Sequence, residues 1–136
     1  LVRNTLNKDL SFSKKDRDEN IRRVAEISRL FIESGSVVIA SFVSPYKEQR
    51  DVISKIVGKN DFFEIYIDTP IEECIRRDVK GMYAKAIKGS IKNFTGISDP
   101  YEAPLKPFLR IDTLDCTPKD ATNLIFENLR DILKYE

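Results

Sequence analysis

Between Ser13 and Ser34 the apolar residues Ile21, Val24, Ala25, Phe31 and Ile32, with the small Ser28 among them, recur at helical spacing. The pattern predicts an amphipathic helix with Ser13 as its N-cap, Asp16, Asp18 and Glu19 at the positive end of its dipole, and Gly35 just past its end. The run Val37-Val38-Ile39-Ala40-Ser41-Phe42-Val43 is nearly continuous and rich in β-branched residues, which predicts a strand buried on both faces of a parallel sheet. Ser44-Pro45 breaks it and opens a second, charged helix with Pro45 in its first turn, running through Ile53 to Val57 and closed by Gly58 and Asn60. Phe62 to Ile67 predicts another strand, ending at Asp68-Thr69-Pro70 ahead of a short helix from Ile71 to Arg77. Phe108 to Asp112 predicts the last strand, followed by a helix with Thr117 as N-cap, Pro118 at its first position, and Ala121, Leu124, Ile125 and Ile132 along it. This alternation predicts an α/β fold with a parallel sheet, whose ligands gather where strands end: at Ser44-Pro45, Asp68-Thr69-Pro70 and Asp112-Thr113.

The stretch from Asp78 to Pro107 departs from the alternation, with three glycines, three prolines and only scattered apolar residues. Loops of that length in a compact domain are usually functional. Between Arg76 and Asn93 lie Arg76, Arg77, Lys80, Lys85, Lys88 and Lys92 against one acidic residue, Asp78. At a sheet's ligand edge such a segment can close over polyphosphate as a lid. By composition alone, a solvated face carrying Lys85, Lys88 and Lys92 explains it better.

The chain has 136 residues, 41% hydrophobic and 33% charged, which suits one soluble globular domain rather than a disordered chain or a membrane span. Its net charge of +1 supplies no basic field for non-specific nucleic-acid binding. The absence of histidine excludes imidazole acid/base catalysis, Ser-His-Asp and Cys-His nucleophiles and His-containing metal sites on this chain. Cys74 and Cys116 form no C-x-x-C pair and read as packing residues in a reducing, cytoplasmic setting. With Leu1 first and no signal-peptide pattern, the chain reads as part of a longer polypeptide.

Phe12 and Phe94 stand outside any periodic face, and with Arg3, Arg17 and Asn20 on one side and Lys92 on the other they could sandwich a planar base and hold its phosphates. Taken singly, each is better explained as a cap on the core. Ser44 ends the most apolar strand, where its hydroxyl could meet a phosphate or simply cap the next helix. Asp68 and Asp112 stay open between capping and ligand contact.

Read in order, Arg3-Asn4-Thr5-Leu6-Asn7-Lys8-Asp9-Leu10, Ser11-Phe12-Ser13 with Asp16-Arg17 and Glu19-Asn20-Ile21-Arg22-Arg23, and Phe42-Val43-Ser44-Pro45-Tyr46 closely resemble adenylylsulfate kinases (APS kinases). Asp68-Thr69-Pro70, Arg77-Asp78-Val79-Lys80-Gly81-Met82-Tyr83, Ile91-Lys92-Asn93-Phe94-Thr95-Gly96-Ile97 and Asp99-Pro100-Tyr101-Glu102-Ala103-Pro104 continue the resemblance in order over essentially the whole chain. It implies a P-loop kinase-like, three-layer α/β fold with a parallel sheet, residues 1–136 being a partial kinase domain with a lid at about 77–107. The implied reaction transfers the γ-phosphoryl of ATP, with Mg²⁺, to the ribose 3′-hydroxyl of adenylylsulfate, giving PAPS and ADP.

The resemblance further implies that Phe12 and Phe94 stack on adenine, that Arg3, Arg17 and Asn20 hold the phosphosulfate and ribose side, and that Val43 lines the pocket. Ser44 falls at the family's active-site serine, Lys92 contacts substrate from the lid, and Arg77 and Lys80 belong to the nucleotide site. A homodimer and a fused or partner ATP sulfurylase are implied as well, with no nucleic acid or membrane partner. Ser11 replaces the usual Gly, and Met82-Tyr83-Ala84-Lys85 replaces Leu-Tyr-Lys-Lys. The large departure is that no G-x-x-x-x-G-K-[ST] occurs, nor the acidic Asp-Gly-Asp segment ahead of the Arg3 position. The expectation is therefore that the first two strands are missing from this chain and that the natural protein extends N-terminally. The alternative is a non-catalytic APS- or PAPS-binding module, regulatory or dimerising, that has lost the P-loop. A kinase with another small-molecule acceptor is the third reading, disfavoured by the Phe12 and Phe94 motifs.

Overall fold

A computed structural model describes residues 2–133. The elements in chain order are a 3-10 turn at Val2–Asn4, α1 (Lys14–Glu33), α2 (Lys47–Val57), β1 (Ile65–Asp68), α3 (Ile71–Arg77), α4 (Met82–Ile87), β2 (Leu109–Asp112) and α5 (Pro118–Leu129). They fall into two units, residues 1–62 with 85–103, and residues 63–84 with 104–136.

In the first unit α1 starts where its sequence says: the Ser13 hydroxyl accepts from the Asp16 amide at 3.2 Å, and the Asp16 carboxylate takes the Ser13 hydroxyl in return at 2.9 Å. Ile21, Ala25 and Ser28 form its buried stripe, and the Ser28 hydroxyl is satisfied by the Val24 carbonyl one turn back. Phe31, expected on that stripe, is exposed. α1 packs against α2, and the Gln49 side-chain amide donates to Asp18 at 2.6 Å across the pair.

Two sequence expectations fail in this unit. The segment 37–43 forms no strand among the described residues, and Val37, Ile39 and Val43 are 60%, 94% and 64% exposed. Strand formation needs a neighbouring backbone to take its N–H and C=O groups, which a β-branched run cannot supply by itself. Pro45 lies outside α2 rather than in its first turn, because Tyr46 is the N-cap and offers no side-chain bond. The cap comes from far along the chain: the Glu102 carboxylate accepts from the Lys47 amide at 2.6 Å.

In the second unit β1 and β2 run parallel in the register Ile65↔Leu109 to Asp68↔Asp112, so the α/β expectation holds with a two-stranded parallel sheet. Ile111 is its buried centre, and Phe63 meets Phe108 edge to face at 5.0 Å. The strands end together, where the Thr113 amide bonds the Asp68 carbonyl and the Thr69 and Thr113 hydroxyls meet at 2.6 Å. Thr117 and Asp120 form a reciprocal capping box with Pro118 in the first turn of α5, as local chemistry predicts. Ile132, expected on that helix, lies beyond its end at Leu129. Cys74 and Cys116 are free thiols, half-buried rather than buried. No helix among the described residues is long and apolar enough to cross a membrane.

Candidate functional site

Eight of the ten residues singled out from sequence lie in the first unit: Arg3, Phe12, Arg17, Asn20, Val43, Ser44, Lys92 and Phe94. Arg77 and Lys80 lie in the second.

Arg17, one turn inside α1, links the segments that carry Phe12 and Phe94. Its Nε donates to the Phe12 carbonyl at 3.0 Å, and its Nη1 donates to Asp99 at 2.9 Å and Thr95 at 3.4 Å. Its Nη2 donates to the Asn93 carbonyl. One guanidinium thus ties the backbone beside Phe12 to the loop that carries Phe94. That loop is folded on itself: the Phe94 carbonyl accepts the amides of Ile97, Ser98 and Asp99, and the Phe94 amide donates to the Ser98 hydroxyl. Asp99 also accepts the Tyr46 hydroxyl at 2.8 Å, which brings in the turn Ser44-Pro45-Tyr46. Burial, and then this bond to the Asp99 carboxylate, raises the Tyr46 phenol above its usual range, so it remains the donor.

The segment before α1 is pinned by a polar pair. Asn7 is fully buried and its side-chain amide donates to Asn20 Oδ1 at 2.8 Å. Arg23, one turn on, grips Asp9 with two bonds of 2.8 Å and donates to the Leu6 carbonyl at 3.1 Å. The chain delivered this way presents Arg3, which donates to the Ser11 carbonyl at 2.7 Å and lies 4.5 Å from the Phe12 ring centre. The Phe12 ring is 69% exposed, so it does not cap the core. Lys92 and Val43 are exposed, and Phe94 and Ser44 are half-buried.

Glu19 completes the α1 arrangement by accepting from Arg22 at 2.8 and 2.9 Å and from Arg23 at 2.8 Å. The Arg22 bond, then the Arg23 bond, lowers its carboxyl from 4.5 to about 2. A carboxyl whose pKa falls on folding stabilises the fold fully above its unfolded value and loses that contribution as pH drops through the folded one. The expected result is a Glu19 carboxyl resonance that titrates with a midpoint near 2, and a stability contribution from this residue that fades between about pH 4.5 and 2. A midpoint at 4.5 would show that the two guanidinium bonds do not persist in solution.

In the second unit Arg77 donates to Glu73 at 2.5 Å and to the Thr113 carbonyl at 2.9 Å, which holds it beside the paired strand ends. Asp78 accepts the amides of Tyr83 and Ala84, starting α4, and Lys80 is exposed. Asp68 is taken by Arg110 at 2.6 Å and by the Tyr66 hydroxyl at 2.9 Å. Lys85, Lys88 and Lys92 are all exposed, which the solvated-face reading and the lid reading share.

Sequence reasoning singled out neither Asn7, Arg23, Tyr46, Arg50 nor Asp99 as site residues, although the first three and Asp99 lie inside the quoted motifs. Their role depends on partners 6 to 82 positions away. In the same geometry Arg17 and Arg3 donate to protein acceptors and Asn20 accepts from the Asn7 amide, so all three hold neighbouring chain segments in place.

Known proteins share both the sequence and the fold of this chain. An adenylyl-sulfate kinase of Bacteroides thetaiotaomicron is 50% identical over 126 residues, 93% of this chain and 63% of the relative. The chain thus spans less than two thirds of that relative's length. The bifunctional enzyme NodQ of a Rhizobium species is 47% identical over 96% of this chain and 21% of its own length. An APS kinase of Mycobacterium tuberculosis, solved in complex with AMPPNP and APS, superposes with a TM-score of 0.90 at 40% identity, covering 95% of this chain and 75% of that one. The model of the family described as Adenylylsulphate kinase matches residues 1–112, which takes in every one of the ten candidate residues, and the chain belongs to that family.

Proposed function

We propose that the protein carrying this chain is an adenylylsulfate kinase, transferring the γ-phosphoryl of ATP to the ribose 3′-hydroxyl of adenylylsulfate. The observation that carries the reading is the Arg17 network, which gathers the Phe12 backbone, the Phe94 loop and the turn after Ser44 around one guanidinium in a chain of this family. In this reading Phe12 and Phe94 stack on adenine, Arg3, Arg17 and Asn20 line the phosphosulfate and ribose side, and Val43 closes the pocket wall. Lys92 meets the substrate from the 85–103 stretch, and Arg77 and Lys80 contact the nucleotide as parts of a lid spanning about 77–107.

Phosphoryl transfer needs little covalent work from the protein, so these residues act by positioning acceptor and donor and by offsetting charge. Ser44 sits beside the transferred phosphoryl. Mg²⁺ would arrive with ATP and offset phosphate charge; among the described residues no group of three or more Cys, Asp or Glu is placed to bind a metal, and the sequence has no Gly-Lys-Ser/Thr loop.

The two free thiols suit a reducing cytoplasm. A homodimer and a fused or partner ATP sulfurylase complete the proposal; that NodQ is a bifunctional enzyme, with this chain matching 21% of it, supports a fusion to a second activity. The test is to incubate the natural gene product with ATP and adenylylsulfate and follow PAPS and ADP together. Equal formation of both is expected. Adenylylsulfate binding without either product would replace this reading by the non-catalytic binding module.

A further inference from the structure

We propose that Arg50 is the positioning residue for Ser44, a brace that holds the Ser44-Pro45 turn and so fixes where the Ser44 hydroxyl points; this rests on the reading of Ser44 just given. Ser44 has a φ of +40°, and among the described non-glycine residues only Asn93 shares that left-handed region. An L residue keeps such a backbone only where its surroundings over-determine it, and such residues gather at functional sites.

The surroundings of Ser44 meet that condition through Arg50. Its guanidinium is buried in α2, with the residue 8% exposed, and it donates from Nη1 to the Ser44 carbonyl at 2.7 Å and from Nη2 to the Glu102 carbonyl at 2.6 Å. Burying a guanidinium is costly without good acceptors, and a planar fork fixes the relative position of the two groups it binds. Here both acceptors are main-chain oxygens, so the fork specifies the path of the chain. Glu102 closes the arrangement from the other side, its amide donating to the Pro45 carbonyl at 2.8 Å and its carboxylate accepting the Lys47 amide. Tyr101 lies with its ring centre 6.0 Å from the Arg50 guanidinium carbon. Residues 44, 45 and 47 are therefore each tied to Arg50 or Glu102, and the hydroxyl between them inherits its position from that frame.

A misplacement of about 1 Å at a reacting group can cost on the order of 100-fold in rate. The experiment compares Ser44→Ala, Arg50→Met and their combination in the natural gene product. Arg50→Met is expected to lower kcat at least about 10-fold while the KM for adenylylsulfate moves less than about 2-fold, and the double variant is expected to be no slower than Ser44→Ala. Losses that multiply in the double variant would overturn the brace and leave the role of Ser44 standing. A fully active Ser44→Ala would overturn both.

A second readout needs no turnover. A positive φ brings a residue's amide proton close to its own Hα, so Ser44 should give a strong intraresidue cross-peak that weakens in Arg50→Lys. Lysine keeps the buried charge and most of the stem, but its compact ammonium lacks the fork that spans two carbonyls. A cross-peak of unchanged strength in Arg50→Lys would overturn the proposal, and this variant also serves the kinetic comparison if Arg50→Met does not fold.

Discussion

Arg17→Met is expected to weaken adenylylsulfate binding by roughly 100-fold, because it removes the bonds that hold the Phe94 loop before any ligand arrives. Arg17 and Asp99 are only 15% and 19% exposed, and Tyr46 cannot neutralise the carboxylate left behind. Breaking a buried pair by deleting one partner costs about 3 to 5 kcal/mol, and the residual exposure puts this pair near the lower bound. Two changes should therefore appear together. Urea unfolding should show a loss of about 3 kcal/mol, and calorimetric titration with adenylylsulfate should show the affinity falling as the ligand takes on the cost of ordering the loop. Asp99→Asn keeps the shape and the acceptor for Tyr46, so its effect should be smaller in both measurements. An Arg17→Met protein that binds adenylylsulfate as before would mean that the loop carries no binding residue.

Phe94→Ala should weaken the same binding by about 1 to 3 kcal/mol, the usual worth of stacking a base on an aromatic ring. Phe12→Ala should do the same, with the added consequence that Arg3 loses the ring it lies over at 4.5 Å. Leucine replacements separate stacking from simple apolar burial, since they keep the bulk and remove the π face. The test of specificity is the ligand: the loss should be present for adenylylsulfate and absent for inorganic phosphosulfate analogues that lack the base. Wild-type affinity in both alanine variants would remove the base site from these loops.

The parts of this structure that were legible in the sequence are those decided by residues close together in the chain. Ser13 with Asp16, and Thr117-Pro118 with Asp120, name their helix starts because cap and amide lie three positions apart. The helix Ile71–Arg77 is readable from Pro70, its N-cap, whose ring breaks the strand before it, although no side chain caps it. The run 37–43 looked like a strand because its residue types suit one, but pairing is a property of another stretch of chain, and among the described residues none pairs with it. Pro45 stands two positions before α2, and the first free amide of that helix is taken by the carboxylate of Glu102, 55 residues away, which local sequence does not announce. The candidate site shows the same division. Phe12, Phe94, Arg17 and Ser44 stood out by type and motif, yet the bond between Arg17 and Asp99 spans 82 positions and no spacing rule could announce it. Arg50 was invisible because a basic residue on a charged helix looks solvated until its two carbonyl acceptors are known.

Arg17, Asn20 and Arg23 stand three residues apart along α1; Arg17 takes hold of the 93–99 loop, while Asn20 and Arg23 take hold of Asn7 and Asp9 in the segment before the helix. The helix thus works as a ruler whose graduations are a little under one turn, about 1.5 Å of rise and 100° of rotation per residue. Such a device tolerates changes of side chain better than changes of length. A single residue inserted between Arg17 and Asn20 would swing one grip by about 100° relative to the next and separate the aromatic-bearing loops, even if helix and caps stayed whole. In this family member, the spacing of those three side chains holds the candidate site together as much as their chemistry does.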